Sequence, residues 1–182
     1  MPVSINGNTG VVTGLAQLPD SAMSSGSIIQ VVSTVLTSAA SFNVGNGATD
    51  NITGLSASIT PSSSSNKILI MYSISYDITD VSAKGGFRIK RGSTVIGNAD
   101  SASTRYLVNS GYSSNNNEDQ SLMSCSNNFV DSPSTTSATT YQMCMHGGGA
   151  TQNIFINRAR TDADETDDPR ATSSLILMEV AV

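Results

Sequence analysis

Tryptophan is absent from this chain, histidine occurs once and cysteine twice, and charged residues are scarce. Each shortage removes a class of function. One histidine and two cysteines are too few for a zinc centre, which draws its ligands mainly from those residues. Two cysteines also cannot staple a disulfide scaffold. Cys125 and Cys144 both fall in strand-like stretches and read as small buried thiols, although one bridge between neighbouring strands stays open as an alternative. No apolar run approaches the roughly 20 residues of a membrane-spanning helix. The first residues lack the basic patch and apolar segment of a secretory signal. Only 13% of the 182 residues are charged, and the net charge is −5. With a pI of about 4.6, the chain is poorly suited to nucleic acid or to an anionic membrane surface, both of which are bound through Lys and Arg. Nucleic-acid binding and membrane insertion are therefore not expected.

Catalytic groupings are equally thin. His146 is the sole histidine, and no Gly-x-Ser-x-Gly element offers it a nucleophile. Glu118 and Asp119 are adjacent, so in an extended segment their carboxylates diverge and cannot flank a glycosidic bond. No glycine-rich loop precedes a helix to hold phosphate. An enzyme is not expected, and no cofactor or metal is implied. The densest charge cluster is Asp162, Asp164, Glu165, Asp167 and Asp168. It lacks the glycine and flanking helices of a calcium loop and reads as a solvated loop that keeps sheet edges from pairing.

What the chain does have is alternation. In Lys67–Thr79, Ile68, Ile70, Tyr72, Ile74, Tyr76 and Ile78 share one side. Successive strand side chains point to opposite faces, so this stretch predicts a long central strand with one apolar face. Strands are also expected over Ser27–Thr37, Ile52–Thr60, Phe87–Arg91, Thr94–Asn98, Ser103–Asn109, Ser121–Val130, Thr139–His146, Thr151–Arg158 and Ser173–Val182. Ser41–Asp50, with its Asn46-Gly47 pair, reads as a loop, Ser110–Gln120 as a polar loop, and Gly147–Gly149 as a turn. No segment has the period of a helix. The expected fold is all-β: an antiparallel β-sandwich of jelly-roll type with about nine or ten strands, over residues 27–182.

Residues 1–26 differ. Val3, Ile5, Val11 and Val12 flank turn dipeptides and fit a small hairpin, and Leu15 and Leu18 are isolated apolar points. The segment is too small for a core of its own and reads as an anchoring arm.

Two further features point to binding. Tyr112 with Asn115, Asn116 and Asn117 forms a candidate receptor-binding loop, because tyrosine stacks on sugars and amides match hydroxyl pairs. In Ser173–Val182, Leu175 and Leu177 occupy one face and Ile176, Met178, Val180 and Val182 the other. The beginning of Ser27–Thr37 is likewise apolar on both sides. A strand of a two-layer sandwich normally shows water one polar face, so a second buried surface is expected, with Leu175, Leu177 and Met178 at or near a subunit interface. Glu179, the most polar position on the Leu177 face, is expected to tolerate alanine better than Leu177 tolerates aspartate.

Three stretches also resemble a known group. MPVSINGNTG resembles the opening of tail-fibre and virion structural proteins of tailed bacteriophages. GSIIQVV…GLSASITPSSSSNKILI and INRARTDADETDDPRATSSLILMEV are similar to segments of fibre-like proteins of marine phages, cyanophages included. The resemblance covers Gly26–Ile70 and Asn157–Val180. It implies a virion protein with a C1q- or TNF-like β-sandwich head that assembles as a homotrimer. No heptad or Gly-X-Y stalk is present, which departs from a long fibre. What the resemblance implies is a short trimeric tail fibre or adhesin head, made in the host cytoplasm and carried on the virion exterior. Its arm would bind other virion proteins and its head would bind host surface glycan. The alternative is a capsid decoration, cement or head-fibre protein.

Overall fold

The computed structural model of the protein describes residues 4–5, 12–13, 23–79, 84–101, 103–113 and 122–182. Thirteen strands occur among them, and no helix: β1 (Ser4–Ile5), β2 (Val12–Thr13), β3 (Ile28–Leu36), β4 (Ala40–Val44), β5 (Thr49–Ile59), β6 (Lys67–Ile78), β7 (Lys84–Arg91), β8 (Thr94–Ile96), β9 (Ser110–Ser113), β10 (Met123–Asp131), β11 (Thr139–Gly148), β12 (Gln152–Ile156) and β13 (Ser173–Val180). The eleven strands from β3 onward pair antiparallel in two packed sheets, a β-sandwich.

The long central strand is β6. Along one edge it pairs first with β13 and then, end to end, with β12; along the other it pairs with β10. Beyond β13 lies β3, and beyond β12 lies β4. The second sheet runs β5–β11–β7, with β8 and β9 sharing the far edge of β7. The alternating isoleucines and tyrosines of β6 are all at most 6% exposed and fill the space between the sheets with Phe87, Ile89, Tyr141, Met143, Leu175 and Leu177. β-branched residues at every second position favour the strand and supply the core together, which is why this stretch is central.

Four local expectations change. Ser41–Asp50 is not one loop: Ala40–Val44 forms β4 against β12, and only the turn around Asn46-Gly47 separates it from β5. Ser103–Asn109 forms no strand. The Asn109 side chain instead hydrogen-bonds the backbone of Ile89, Ile96 and Gly97, and pairing starts one residue later. The front of the expected loop Ser110–Gln120 is therefore β9. Gly147 and Gly148 belong to β11, because a Cβ on Gly147 would lie 2.5 Å from the Gly45 carbonyl oxygen and only glycine lets those backbones approach.

The sandwich has two poles. One holds the starts of β3 and β6, the turn before β6 and the end of β13. Here Gly26 N–H donates to the Ala181 carbonyl, joining the foot of the arm to the last strand. The opposite pole holds the start of β7, the end of β9 and the β4–β5 turn. Within the arm, β1 and β2 form the expected hairpin, with Ile5 opposite Val12. Val3, Val11, Leu15 and Leu18 lie outside the described residues.

Candidate functional site

The two sheets present different outer faces. On the smaller sheet, Arg88 and Lys90 of β7 flank Cys144 and His146 of β11. Arg88 donates to Thr49 Oγ1 at 2.8 Å and to the Leu107 carbonyl at 2.6 Å, and Thr49 Oγ1 lies 3.0 Å from His146 Nδ1. Lys90 Nζ donates to Asn51 Oδ1 at 2.9 Å. The Tyr106 ring packs on His146 with centroids 5.7 Å apart. This face has its polar groups paired. Burial pushes the Cys144 thiol up to about 11, which the charges of Lys90 and Arg88 only partly offset, so it stays a protonated thiol and not a nucleophile near neutrality. Burial, with the Arg88 charge, lowers the pKa of His146 and favours the neutral ring.

Cys125 and Cys144 are both free. Cys125 packs toward the core from the larger sheet, while Cys144 points away from it on the smaller. The alternative of a bridge between them is thereby removed.

Tyr112 is a core residue. It is 6% exposed and makes edge contacts with Phe87. Its hydroxyl donates to the His146 carbonyl at 2.8 Å and accepts from Gln152 Nε2 at 2.6 Å. The ring is therefore not available to stack on a sugar, a correction to its place in the candidate loop. The reason is register: Tyr112 sits opposite Gly85 on β7, and the missing side chain there leaves room for the ring. Asn115, Asn116 and Asn117 lie outside the described residues.

The acidic loop is held by arginines. Asp162 pairs with Arg170 and lies 3.6 Å from Arg158, and Asp168 accepts from the Ala163 N–H at 2.7 Å. Among the described residues no group of His, Cys, Asp and Glu is arranged to hold a metal ion.

The outer face of the larger sheet is of another kind. Antiparallel register places Val31 of β3, Met178 of β13, Leu69 of β6 and Val130 of β10 in one row across four strands. The next row is Ser33, Ile176, Met71 and Asn128, and the one after is Val35, Ser174, Ser73 and Ser126. Ile28 extends the patch beside Val180. Seven large hydrophobics are exposed among the described residues, and Ile28, Val31, Val35, Met71 and Val130 of them are on this one face. A depression of about 340 Å³ is lined by Met71, Ile176, Ser73, Ser126, Asn128 and Ser174. Over these rows the face carries no charge.

Of the expected interface residues, Leu175 and Leu177 are 0% exposed and belong to the core, because β13 turns its odd positions inward; Met178 alone is on the outer face. Met71, Val31 and Val130 were missed. Their signal was faint but present: the second face of Lys67–Thr79 begins with Leu69 and Met71 where a solvated strand would show polar residues.

No protein-family model matches this chain, and no curated protein matches it.

Proposed function

We propose that this chain is a structural protein of a tailed-bacteriophage virion, the head of a short trimeric tail fibre or adhesin joined to the particle by its N-terminal arm. The observation that carries the reading is the uncharged, largely apolar patch across β3, β13, β6 and β10 on the outer face of the larger sheet, a surface that in a free monomer would be left against water. The stretches that resemble phage fibre proteins, Gly26–Ile70 and Asn157–Val180, are distant in sequence but meet in this face: they supply β3, β13 and the first part of β6. The arrangement of the poles supports an anchored, outward-facing head. The arm joins the sandwich beside the end of β13, whereas β9 ends and β10 begins at the opposite pole. A particle attached through the arm turns that pole toward the host, and the amides of Asn115, Asn116 and Asn117, which fall between those two strands in sequence, match the hydroxyl pairs of surface glycan.

The arm gives the test. A chain comprising residues 23–182 keeps the Gly26–Ala181 bond and is expected to fold and to be absent from purified particles. Incorporation at the level of the full chain overturns the proposal.

A further inference from the structure

We infer that the outer face of the larger sheet, across β3, β13, β6 and β10, is where copies of this chain meet each other, around an axis that runs from pole to pole. The inference deepens the reading above, since it names the contact through which the trimer forms.

The occupant follows from charge and shape. Each copy carries a net charge of −5, so two copies repel wherever their acidic surfaces approach. The rows built on Val31–Val130 and Ser33–Asn128 contain no ionisable side chain; Lys67 stands beyond them at one end, and Asp77, paired with Arg160, at the other. A basic or acidic partner would find nothing there to pair with. A second copy presents the same valines, methionines, serines and asparagines, which bury against each other without stranding a charge. The other outer face is excluded for the same reason: contact there would bury Arg88 and Lys90.

Size fits as well. Four strands about 4.8 Å apart and some eight residues long make a face of about 19 by 26 Å, or about 500 Å² in projection. The accessible area of such a side-chain-covered surface is larger and approaches the ~800 Å² that each partner buries in a stable interface. Three faces about 19 Å wide, closed into a triangle, stand about 5–6 Å from the axis. That is half the ~10 Å spacing of packed sheets, so the side chains fill the centre. The axis lies along the strands, and this keeps Gly26, where the arm enters, at one pole in every copy and the end of β9 and start of β10 at the other. A two-fold axis lying in the plane of the contact and across the strands would send the arms in opposite directions.

Light scattering on the full chain at micromolar concentration tests this. The wild type is expected at three times the 18.8 kDa chain mass, with no loss of mass as sodium chloride is raised. Val31→Asp and Met178→Asp together put two charges into the central row. They are expected to give a folded monomer, with the β circular dichroism of the wild type, because Val31 is 55% exposed. Thr140→Asp, exposed on the smaller sheet, is expected to keep the wild-type mass. A wild-type monomer overturns the inference, as does a Val31→Asp/Met178→Asp variant of unchanged mass, or a mass that falls with salt. A dimer lost in the double variant keeps the face and overturns the three-fold arrangement. Failure of the phage reading shows separately, in particle incorporation, and leaves the mass unaffected.

Discussion

Asn66 Nδ2 donates to Glu179 Oε1 at 2.7 Å, joining the turn before β6 to the last strand across 113 positions of sequence. The same carboxylate accepts from Ser62 N at 2.7 Å and Ser62 Oγ at 2.8 Å, and its other oxygen accepts from Gln30 Nε2 at 2.5 Å. Asn66 Oδ1 in turn accepts from the Val182 N–H. Glu179 is 0% exposed, so the pole where the arm enters is locked by a buried, fully bonded carboxylate.

Glu179→Ala strips these donors of their acceptor inside the protein. It should cost about 3 kcal/mol or more, since each orphaned buried group costs about 1–3 kcal/mol, and a thermal melt measures it. Leu177→Asp, which puts a charge at a 0% exposed core position, is still expected to be the worse of the two. A loss below about 1 kcal/mol would show the lock to be unimportant.

Acid should destabilise the protein in two stages. Burial lowers the pKa of His146, with Arg88 adding to the shift, so the unfolded chain takes up its proton first. That contribution is complete above the ordinary value of 6.5 and declines as pH falls through it. Burial alone would raise the pKa of Glu179, but hydrogen bonds from Asn66, Gln30 and Ser62 outweigh it and the net shift is downward. Its contribution is present above the ordinary value of 4.5 and is lost as pH falls toward the folded-state pKa. Melting temperature against pH should show both stages in the wild type, and only the higher one in Glu179→Gln.

Ile74→Ala should cost about 2–5 kcal/mol, the usual range for emptying a packed core site. Ile74 is 0% exposed. Ser73 lies half-buried on the outer face, where it accepts one bond from Ser126, so Ser73→Ala should cost about 1 kcal/mol or less. Equal losses in denaturant titrations would put the strand in the wrong register.

Gly86→Ala should disrupt the β7–β9 edge, because its Cβ would lie 2.3 Å from the Ser110 carbonyl oxygen. Relief requires backbone movement, and the cost should reach about 3 kcal/mol. Gly92→Ala has open space at its turn and should lose only about 1 kcal/mol, from its positive φ. Amide exchange on β9 distinguishes the two: it should accelerate in the first variant and not in the second.

The alternation of Ile68–Ile78 was legible because strand geometry turns a period of two directly into a buried face. The hairpin at Gly92-Ser93 was legible from its turn residues, with Arg91 opposite Thr94. Glu179 was not, because its meaning depends on Ser62 and Asn66, which only the closed fold brings beside it. Tyr112 misled for a similar reason: in a run of Ser, Gly and Asn it reads as a loop tip, yet β9 pairing against Gly85 carries it into the core. For β13 both apolar faces are present: Leu175 and Leu177 lie in the core, and Ile176 and Met178 on the outer face. Which face served the core was decided by register with β6, and this leaves Met178 and its row, not Leu175 and Leu177, as the face proposed for the contact.

The reading as an arm-anchored trimeric tail head is tested most directly by counting this chain against the major capsid protein in purified virions, by quantitative mass spectrometry. The expected result is a few tens of copies or fewer per particle, in a multiple of three. Hundreds of copies, as on a decorated capsid, or none at all, would contradict it.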